Sequence, residues 1–280
     1  MNIYAECYAC MITQALTAMS LNHIEDATQK EVVRKIMKTL EVADENLPPS
    51  EIAGFTNQII RDETGIDDFY AEIKQESIKK ALEIYPKLKA LVAESDTSIE
   101  LALRISAAGN AIDVIHSTQF DMDQIIKQVV DLSFIGGGYD EFMRKLENAD
   151  YLLLLADNAG ETVFDRVLIE ALPIPVKYAV KSGPILNDAT LSDAMDSGLA
   201  DIAELIETGS NGPGTTLHQC SADFQKLMNE APLMLAKGQA NFETLENQPF
   251  EHLYLMFKTK CPIISRHLKL PQENIVLMHA

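Results

Sequence analysis

Basic residues are scarce in this 280-residue chain, which has 23 Lys and Arg against 42 Asp and Glu and a formal net charge of −19 at pH 7. This balance argues against general nucleic-acid binding, because a basic face supplies most of the affinity for phosphates. It also argues against binding to an anionic membrane surface. An acidic protein with an anionic substrate needs a local positive group, and a bound divalent cation is a compact way to provide one.

Cysteine and long apolar runs are also rare or absent. Four Cys in the whole chain are too few for a disulfide framework, so a reduced, cytoplasmic location is the default expectation. No apolar stretch approaches the roughly 20 residues that a membrane-spanning helix needs. The N-terminal sequence MNIYAECYAC lacks the basic and apolar segments of a signal peptide, so we expect none. The absence of Trp excludes no fold class.

Apolar residues recur three and four positions apart through the first half of the chain, which predicts a series of amphipathic helices. The predicted helices span residues 7–21, 24–42, 50–62, 67–92 and 98–116. Pro48 and Pro49 stand where a helix can start, and Ser50 can cap that helix. We therefore predict a helical bundle domain over residues 1–135.

Short apolar runs alternate with helical segments from residue 151 onward. The predicted strands span residues 151–156, 175–180, 202–206, 233–236, 253–257 and 274–278. The chain between most of them is long enough for a crossover helix, which predicts a Rossmann-like, mostly parallel sheet with helices on both faces. We predict that this α/β domain covers residues 136–280 and carries the metal site, with a hinge to the packed helical bundle at residues 134–138.

The central motif is the segment YLLLLADNAGETVFD at residues 151–165. Asp157 and Asn158 follow its buried apolar run, and ligands bind at this carboxyl edge in open parallel sheets. An Asp beside an Asn offers hard oxygen ligands that suit Mg²⁺ or Mn²⁺. The alternative is that one of the two merely caps the following helix, a more common role for these residue types.

A second polar segment, KSGPILNDAT at residues 181–190, follows the next predicted strand. Asp188 lies in it, and with the first pair it gives three oxygen ligands and leaves open positions for water and a phosphate oxygen. Lys181 can bind that phosphate as a point charge. Two polar turns at neighbouring strand ends favour a metal site over two unrelated helix caps.

Several motifs together resemble the damage-control phosphatases, a family once described only as a domain of unknown function. The matching segments are CYAC at 7–10, AGNAID at 108–113, DNAGE at 157–161 with FD at 164–165, NDAT at 187–190, GQANFE at 238–243 and KC at 260–261. The likeness covers nearly the whole chain. The combination is more specific than any single motif in it.

This resemblance implies a metal-dependent hydrolase that removes phosphate from small, sugar-derived or damaged metabolites. The family's metal ligands fall here on Asp157, Asn158 and Asp188, and its metals include Mn, Ni, Co and Mg. Its substrate-binding groups fall here on Asn110, Asn241 and Lys260. The subgroup that this chain resembles carries an N-terminal Cys-x-x-Cys.

The residues themselves give the substrate-binding assignments weaker support. Asn110 and Asp113 are three positions apart, so they share one face of an otherwise apolar helix. Facing a polar cleft, both would find partners there; the alternative is that Asn110 packs beside Gly109 at a helix contact. Lys258 and Lys260 follow the strand predicted at 253–257, and two lysines there in so acidic a chain favour anion binding.

Cys7 and Cys10 have the C-x-x-C spacing of zinc sites and redox pairs. A zinc site would need a second Cys pair, and a thioredoxin-like motif would need a preceding strand. We therefore expect core packing on one helix face, with a thiol site that includes Cys261 as the alternative. The six His lack the paired spacing of metal ligands, and the Gly at 136–138 lack the placement of a dinucleotide-binding loop.

The chemistry that we predict is hydrolysis of a phosphomonoester, in which a metal polarises a phosphoryl oxygen and water attacks in line. Glu161 or Asp113 would orient that water or protonate the leaving alkoxide, and Lys181 or Lys260 would hold the phosphate. An aspartyl-phosphate formed on Asp157 is the mechanistic alternative. The functional alternatives are a methyl-transfer enzyme with an adenosine-type donor in the same cleft and a metal-stabilised binding module without turnover.

Overall fold

The computed structural model describes residues 1–109 and 133–280, together with Val129 and Asp131. The first half is helical, as predicted. Its helices are α1 (Ala5–Leu21), α2 (Asp26–Glu41), α3 (Pro49–Thr64), α4 (Ala71–Ala93) and α5 (Ser98–Gly109). The predicted helix at 98–116 is confirmed as far as Gly109, and its remainder lies outside the described residues. Within the described part of the chain, no helix is both long and apolar enough to cross a membrane.

The start of α3 corrects one detail of the sequence analysis. Pro48 is the residue before the helix and Pro49 is its first residue, so Ser50 lies inside the first turn and does not cap it. Proline suits this position because its fixed φ is helical and the missing N–H would have no partner within the helix. The main-chain amide of Ser50 instead donates to Glu243 Oε2, at 2.9 Å.

Helices α1, α2 and α3 build a core of their own. Met11, Ala15 and Met19 recur at intervals of four on α1 and are buried against Ile36 of α2 and Ile52 of α3. This spacing places the apolar side chains on one face of each helix. Helices α4 and α5 instead share the larger core that covers one face of the sheet.

The second half forms a seven-stranded sheet with the order β1-β7-β6-β5-β2-β3-β4. The strands are β1 (Phe134–Ile135), β2 (Leu152–Leu155), β3 (Val176–Val180), β4 (Glu204–Glu207), β5 (Met234–Lys237), β6 (Leu253–Lys258) and β7 (Ile275–His279). The intervening helices are α6 (Tyr139–Leu146), α7 (Thr162–Ala171), α8 (Leu191–Asp196), α9 (Ala222–Glu230), α10 (Gln239–Leu245) and α11 (Pro262–Leu268). All neighbouring strands are parallel except β6 and β7, which confirms the mostly parallel sheet.

Strand β1 lies in the segment where the sequence predicts a hinge. Phe134 and Ile135 pair with Ile275 and Val276 of β7, so they belong to the sheet. The Gly residues that follow form the turn into α6. The division of the chain into domains at 1–135 and 136–280 stays a prediction.

Both faces of the sheet are covered by helices, as predicted. Leu152 and Leu154 of β2 point into the core shared with α4, α5, α6 and α7. Leu153 and Leu155 point into the opposite core, which contains residues of α9, α10 and α11. A strand buried on both faces needs apolar residues at every position, which explains the unbroken run of leucines.

Strand β2 lies at the point where the chain changes direction across the sheet. From β2 the chain continues through β3 and β4 on one side, and it then returns to β5 on the other side of β2. Such a switch point opens a crevice at the carboxyl ends of the strands. The loops after β2, β3 and β5 all reach this crevice.

Candidate active site

Asp157 and Asn158 follow β2 directly and lead into a short 3-10 turn, Ala159–Glu161, and then into α7. Neither the Asn158 side chain before the turn nor the Glu161 side chain before α7 makes a capping hydrogen bond. The helix-cap alternative for Asn158 is therefore wrong. Both residues instead line a cavity of about 630 Å³ at the carboxyl edge of the sheet.

Asp188 comes to the same place from the loop after β3. A short antiparallel bridge links Asn158 to Asp188, and the main-chain amide of Ala189 donates to the carbonyl of Asp157 at 2.8 Å. Asp188 lines the same cavity as Asp157 and Asn158. Main-chain hydrogen bonds thus bring together the three side chains that the sequence places in two separate turns.

Gly238, at the end of β5, packs directly against the Asp157 carboxyl group. Its φ is 87°, and a Cβ built there would lie 2.1 Å from Asp157 Cγ. A side chain at this position would overlap the carboxylate, so glycine is the residue that lets the chain pass so close. The loop after β5 therefore forms one wall of the space around Asp157.

Burial and neighbouring negative charges disfavour the ionised forms of the Asp157 and Asp188 carboxyl groups. Burial raises the pKa of Asp157 well above its usual value, and the negative charges of Glu161 and Asp188 add to this effect. Burial also raises the pKa of Asp188, to about 6, although Lys181 opposes the shift. Buried carboxylates with like-charged neighbours are stabilised by a bound cation.

Lys237, the last residue of β5, forms a buried charged network beneath the site. Its ammonium group lies 2.8 Å from Glu161 Oε2 and 2.6 Å from Asp165 Oδ1, and the Lys237 side chain is 2% exposed. Burial alone would lower the pKa of Lys237, but the charges of Asp165 and Glu161 outweigh it and raise that pKa. Ser106 and Tyr178 each donate a hydrogen bond to the Asp165 carboxylate, at 2.5 and 2.7 Å.

This network fixes the orientation of the Asn158 amide. The amide nitrogen donates to Glu161 Oε1 at 2.7 Å and to Asp157 Oδ2 at 3.1 Å. Both hydrogen bonds use the nitrogen, so the amide oxygen is the atom left for a ligand. Lys237 in turn holds Glu161, and through Glu161 it orients the predicted metal ligand Asn158. Lys237 was not among the residues predicted from the sequence.

The donor set fits a hard divalent cation. It consists of the half-buried Asp157 carboxylate, the buried Asp188 carboxylate and one oriented amide, which are oxygen donors of the kind that Mg²⁺ and Mn²⁺ take. Within the described residues, no group of three or more His, Cys, Asp or Glu side chains is arranged to hold a metal ion. The predicted set therefore combines two carboxylates with the Asn158 amide, and its role in metal binding stays a prediction.

The predicted phosphate-binding lysines occupy different positions. Lys260 is exposed and lines the cavity, and its positive charge partly opposes the rise in the pKa of Asp157. Lys181 is buried, donates to the carbonyl of Gly214, and has its ammonium group 3.7 Å from Asp188 Oδ2. It lines a neighbouring cavity of about 420 Å³ rather than the one that holds Asp157. Lys260 is therefore the better placed of the two to meet a phosphate in the larger cavity.

Asn241 supports the loops around the site. Its amide nitrogen donates to the carbonyls of Ala156 and Lys237, at 3.2 and 2.7 Å, and its amide oxygen accepts from Thr215 at 2.7 Å. These bonds tie the ends of β2 and β5 together. Its role as a substrate-binding residue stays a prediction. Asn110 and Asp113 lie outside the described residues.

The cysteines divide between core and cavity. Cys7 is buried in the core of α1, α2 and α3, so the prediction of core packing is confirmed for it. Cys10 is exposed, so the same prediction is wrong for Cys10. Cys7, Cys10 and Cys261 all line the cavity that contains Asp157. Partial desolvation of the sulfur atoms at the cavity wall raises the pKa of the Cys7 and Cys10 thiols, which favours their protonated, less reactive form.

Comparisons with known proteins identify the family to which this fold and sequence are similar. The model of the damage-control phosphatase ARMT1-like domain matches residues 3–276. A damage-control phosphatase of Pyrococcus horikoshii is 30% identical over 99% of this chain and 98% of its own length. A damage-control phosphatase of Archaeoglobus fulgidus is 27% identical over 73% of each chain.

A solved structure is similar over the whole fold. The crystal structure of a DUF89 family protein from Pyrococcus horikoshii superimposes with a TM-score of 0.92 and 29% sequence identity, covering 100% of this chain and 99% of that one. The subgroup with an N-terminal Cys-x-x-Cys stays a prediction. The match along nearly the whole sequence and the shared architecture show that this chain belongs to the damage-control phosphatase ARMT1-like domain family.

Proposed function

We propose that this chain is a metal-dependent phosphatase that hydrolyses phosphomonoesters of small, sugar-like or damaged metabolites. The observation that carries the proposal is the meeting of Asp157, Asn158 and Asp188 at one cavity, with two carboxylates, one half-buried and one buried, whose pKa values are raised. The names of the relatives support phosphatase chemistry. The metal, the substrate and the cytoplasmic location belong to the proposal.

Asp157, Asn158 and Asp188 would hold the metal ion, which we propose to be Mn, Ni, Co or Mg. When bound, a divalent ion at this place polarises a phosphoryl oxygen and offsets the charge of the transition state. Lys260 binds the outer phosphate oxygens from the open side of the cavity. Glu161 is engaged by Lys237 and Asn158, so we propose that it positions Asn158 rather than meeting the substrate.

Water attacks the phosphorus directly in this proposal, in line with the leaving alcohol. We favour attack by water over attack by Asp157, because a carboxylate that holds a metal ion would be a poorer nucleophile than a free one. The aspartyl-phosphate alternative predicts a phospho-enzyme that can be trapped after rapid acid quenching. The predicted role of Asp113 as an acid or base lies outside the described residues.

The test is a screen of phosphate release from sugar phosphates and p-nitrophenyl phosphate, with each of the four metals in turn. Asp157→Asn keeps the side-chain volume and removes the charge, so we expect it to abolish metal-dependent release. Asp150→Ala, at an exposed position away from the cavity, is the matched control and should keep full activity. Release that persists in Asp157→Asn and in excess chelator would contradict the proposal.

The same preparations can be assayed for methyl transfer from an adenosine-type donor. The methyl-transfer alternative predicts binding of that donor without any requirement for metal. Methyl transfer together with an absence of phosphate release would favour it.

A further inference from the structure

Two lysines at the end of β6, Lys258 and Lys260, line the cavity that contains Asp157. Lys258 is the last residue of the strand. The main-chain amide of Lys260 donates to the carbonyl of Lys258 at 2.9 Å, which closes a tight turn around Thr259. The proposed function uses Lys260 to bind the phosphate that is cleaved. It assigns no role to Lys258, which is a second cation on the same wall.

Thr259 fixes this turn against the loop before β7. The residue is fully buried, and its hydroxyl donates to the carbonyl of Pro271 at 2.8 Å. The main-chain amides of Glu273 and Asn274 donate to the Thr259 carbonyl and hydroxyl, at 2.9 and 3.1 Å. The loop therefore holds Glu273 next to the turn that carries both lysines.

Glu273 is the counter-ion of Lys258. Its Oε2 lies 2.6 Å from Lys258 Nζ, and its φ of 61° is a left-handed conformation that residues with a side chain rarely adopt. The hydrogen bond from Lys258 lowers the pKa of Glu273, and the positive charges of Lys258 and Lys260 add to this effect. Glu273 is therefore an anion within electrostatic reach of both lysines.

Water reaches the two members of this ion pair to different extents. The Lys258 side chain is 16% exposed, whereas the Glu273 side chain is 69% exposed. An ion pair with an exposed member contributes little to stability, because water can solvate the carboxylate when the pair separates. An anionic group of a ligand in the cavity can therefore replace Glu273 as the partner of Lys258.

Glu6 and Glu243 also line the cavity, and neighbouring groups engage both carboxylates. Glu6 Oε1 lies 2.6 Å from Arg266 Nη2. Glu243 accepts hydrogen bonds from the Gln239 side chain and the Ser50 main-chain amide, each at 2.9 Å. Burial raises the pKa of Glu243, which favours its neutral form. These two acids therefore repel an anionic ligand less than two free carboxylates would.

From this arrangement we propose that Lys258 binds a second anionic group of the substrate and that Glu273 takes the place of this group in the free protein. Lys260 would bind the phosphate that is cleaved, while Lys258 would bind a carboxylate or another phosphate on the leaving alcohol. Glu273 is then a positioning residue, because it acts on the substrate only through Lys258. This inference rests on the proposed phosphatase function and narrows its substrates to esters that carry a second negative charge.

The experiment compares gluconate 6-phosphate with sorbitol 6-phosphate, which carry a carboxylate and a hydroxymethyl group, respectively, at the far end of the same chain. The wild type should have the higher kcat/KM for gluconate 6-phosphate. Lys258→Met removes one charged contact at a partly exposed site, so the ratio of the two kcat/KM values should fall by about 5- to 15-fold, mainly through KM.

Glu273→Gln removes the competing anion, so it should raise the same ratio by about 2- to 5-fold. The double variant should match Lys258→Met, because Glu273 acts through Lys258. A Glu273→Gln effect that persists without Lys258 would contradict the positioning role.

Lys177→Met is the matched control. Lys177 Nζ lies 3.0 Å from Glu204 Oε2, their side chains are 27% and 62% exposed, and neither residue is among those lining the cavity. This variant should leave the ratio unchanged. An equal loss for both esters in Lys258→Met would show that Lys258 binds the cleaved phosphate, and it would overturn the second subsite. An unchanged ratio in Lys258→Met would overturn it as well.

Calorimetric titration with both esters separates this inference from the proposed function. If the wild type releases phosphate from neither ester, the phosphatase proposal fails. The subsite is then supported only if the wild type binds gluconate 6-phosphate more tightly than sorbitol 6-phosphate and Lys258→Met removes that preference. A preference that is absent from the wild type, or that persists in Lys258→Met, would overturn it.

Discussion

Replacing Gly238 with alanine tests the geometry of the site with the smallest possible change. The added Cβ would lie 2.1 Å from Asp157 Cγ, so the two atoms must separate by about 1.3 Å to reach the 3.4 Å of ordinary contact. The backbone at Gly238, with φ 87° and ψ 162°, is a conformation that costs a residue with a side chain about 1–3 kcal/mol. Alanine therefore displaces Asp157 and strains the turn together.

We expect Gly238→Ala to lower phosphatase activity by at least about 100-fold, since a shift near 1 Å at a catalytic group costs about that much. The assay is metal-dependent release from p-nitrophenyl phosphate at saturating metal, with thermal unfolding measured in parallel. Gly65→Ala is the matched control, because Gly65 has a φ of 71° and nothing within 4 Å of a built Cβ. That variant should lose about 1–2 kcal/mol of stability and keep full activity.

These two glycine variants distinguish overlap with Asp157 from backbone strain as the cause of lost activity. Near-equal activities would show that the Gly238–Asp157 contact does not control the position of the carboxylate. Loss of activity in both would show that backbone strain, and not the overlap with Asp157, is responsible.

Two further predictions concern stability. Lys237→Met leaves Glu161 and Asp165 without their buried cation, so the free energy of unfolding should fall by about 3–5 kcal/mol in urea titrations. The loss should be smaller at pH 5 than at pH 8, because protonation relieves the unpaired carboxylates at low pH. In metal-free protein, the raised pKa of Asp188, about 6, contributes stability that is present at low pH and lost as the pH rises through that value. We therefore expect the melting temperature of chelated wild type to fall relative to Asp188→Asn between pH 5 and pH 7.5.

Each stability prediction has its own control. Lys226→Met, at a surface position where the side chain is 72% exposed, should change the unfolding free energy little. A similar loss in Lys226→Met and Lys237→Met would contradict the buried network. Parallel melting curves for wild type and Asp188→Asn across the pH range would contradict the raised pKa of Asp188.

The central strands were predictable because burial on both faces requires an unbroken apolar run, whereas the edge strand β4, Glu204–Glu207, is partly exposed and was predicted two residues too early at its start. The run at 151–156 and the structural strand Leu152–Leu155 differ by one residue at each end. Strand β1 escaped prediction because a two-residue strand beside three glycines carries no periodic signal. The antiparallel direction of β7 depends on pairing with β6, which sequence spacing does not report.

The sequence predicted that the two turns with Asp157, Asn158 and Asp188 would meet, but it did not predict the network around Lys237. Polar residues at the ends of apolar strands are easy to recognise in a sequence, and this is how Asp157, Asn158 and Asp188 were identified. Lys237 closes an apolar strand in the same way, but its partners Glu161 and Asp165 are more than seventy positions away. A lysine directly after a buried strand and before a glycine was the available signal.

Ser50 was misinterpreted because a serine after prolines is typical of a helix cap. The proline pair moved the helix start back by one residue, so Ser50 lies in the first turn and its main-chain amide donates to Glu243. Local propensity places Ser50 correctly near the start of a helix, and only the packing of α3 against α10 shows that it meets Glu243.

The cavity is lined by two parts of the chain that are far apart in sequence. The groups that would cleave the phosphate ester follow β2, β3 and β6, whereas Ser50, Cys7 and Cys10 come from the amino-terminal helices. Under the proposed function, we therefore expect substitutions in α1 and α3 to change which ester binds more than how its bond is cleaved. The substrate preference of the proposed phosphatase can then change during evolution independently of the groups that cleave the ester.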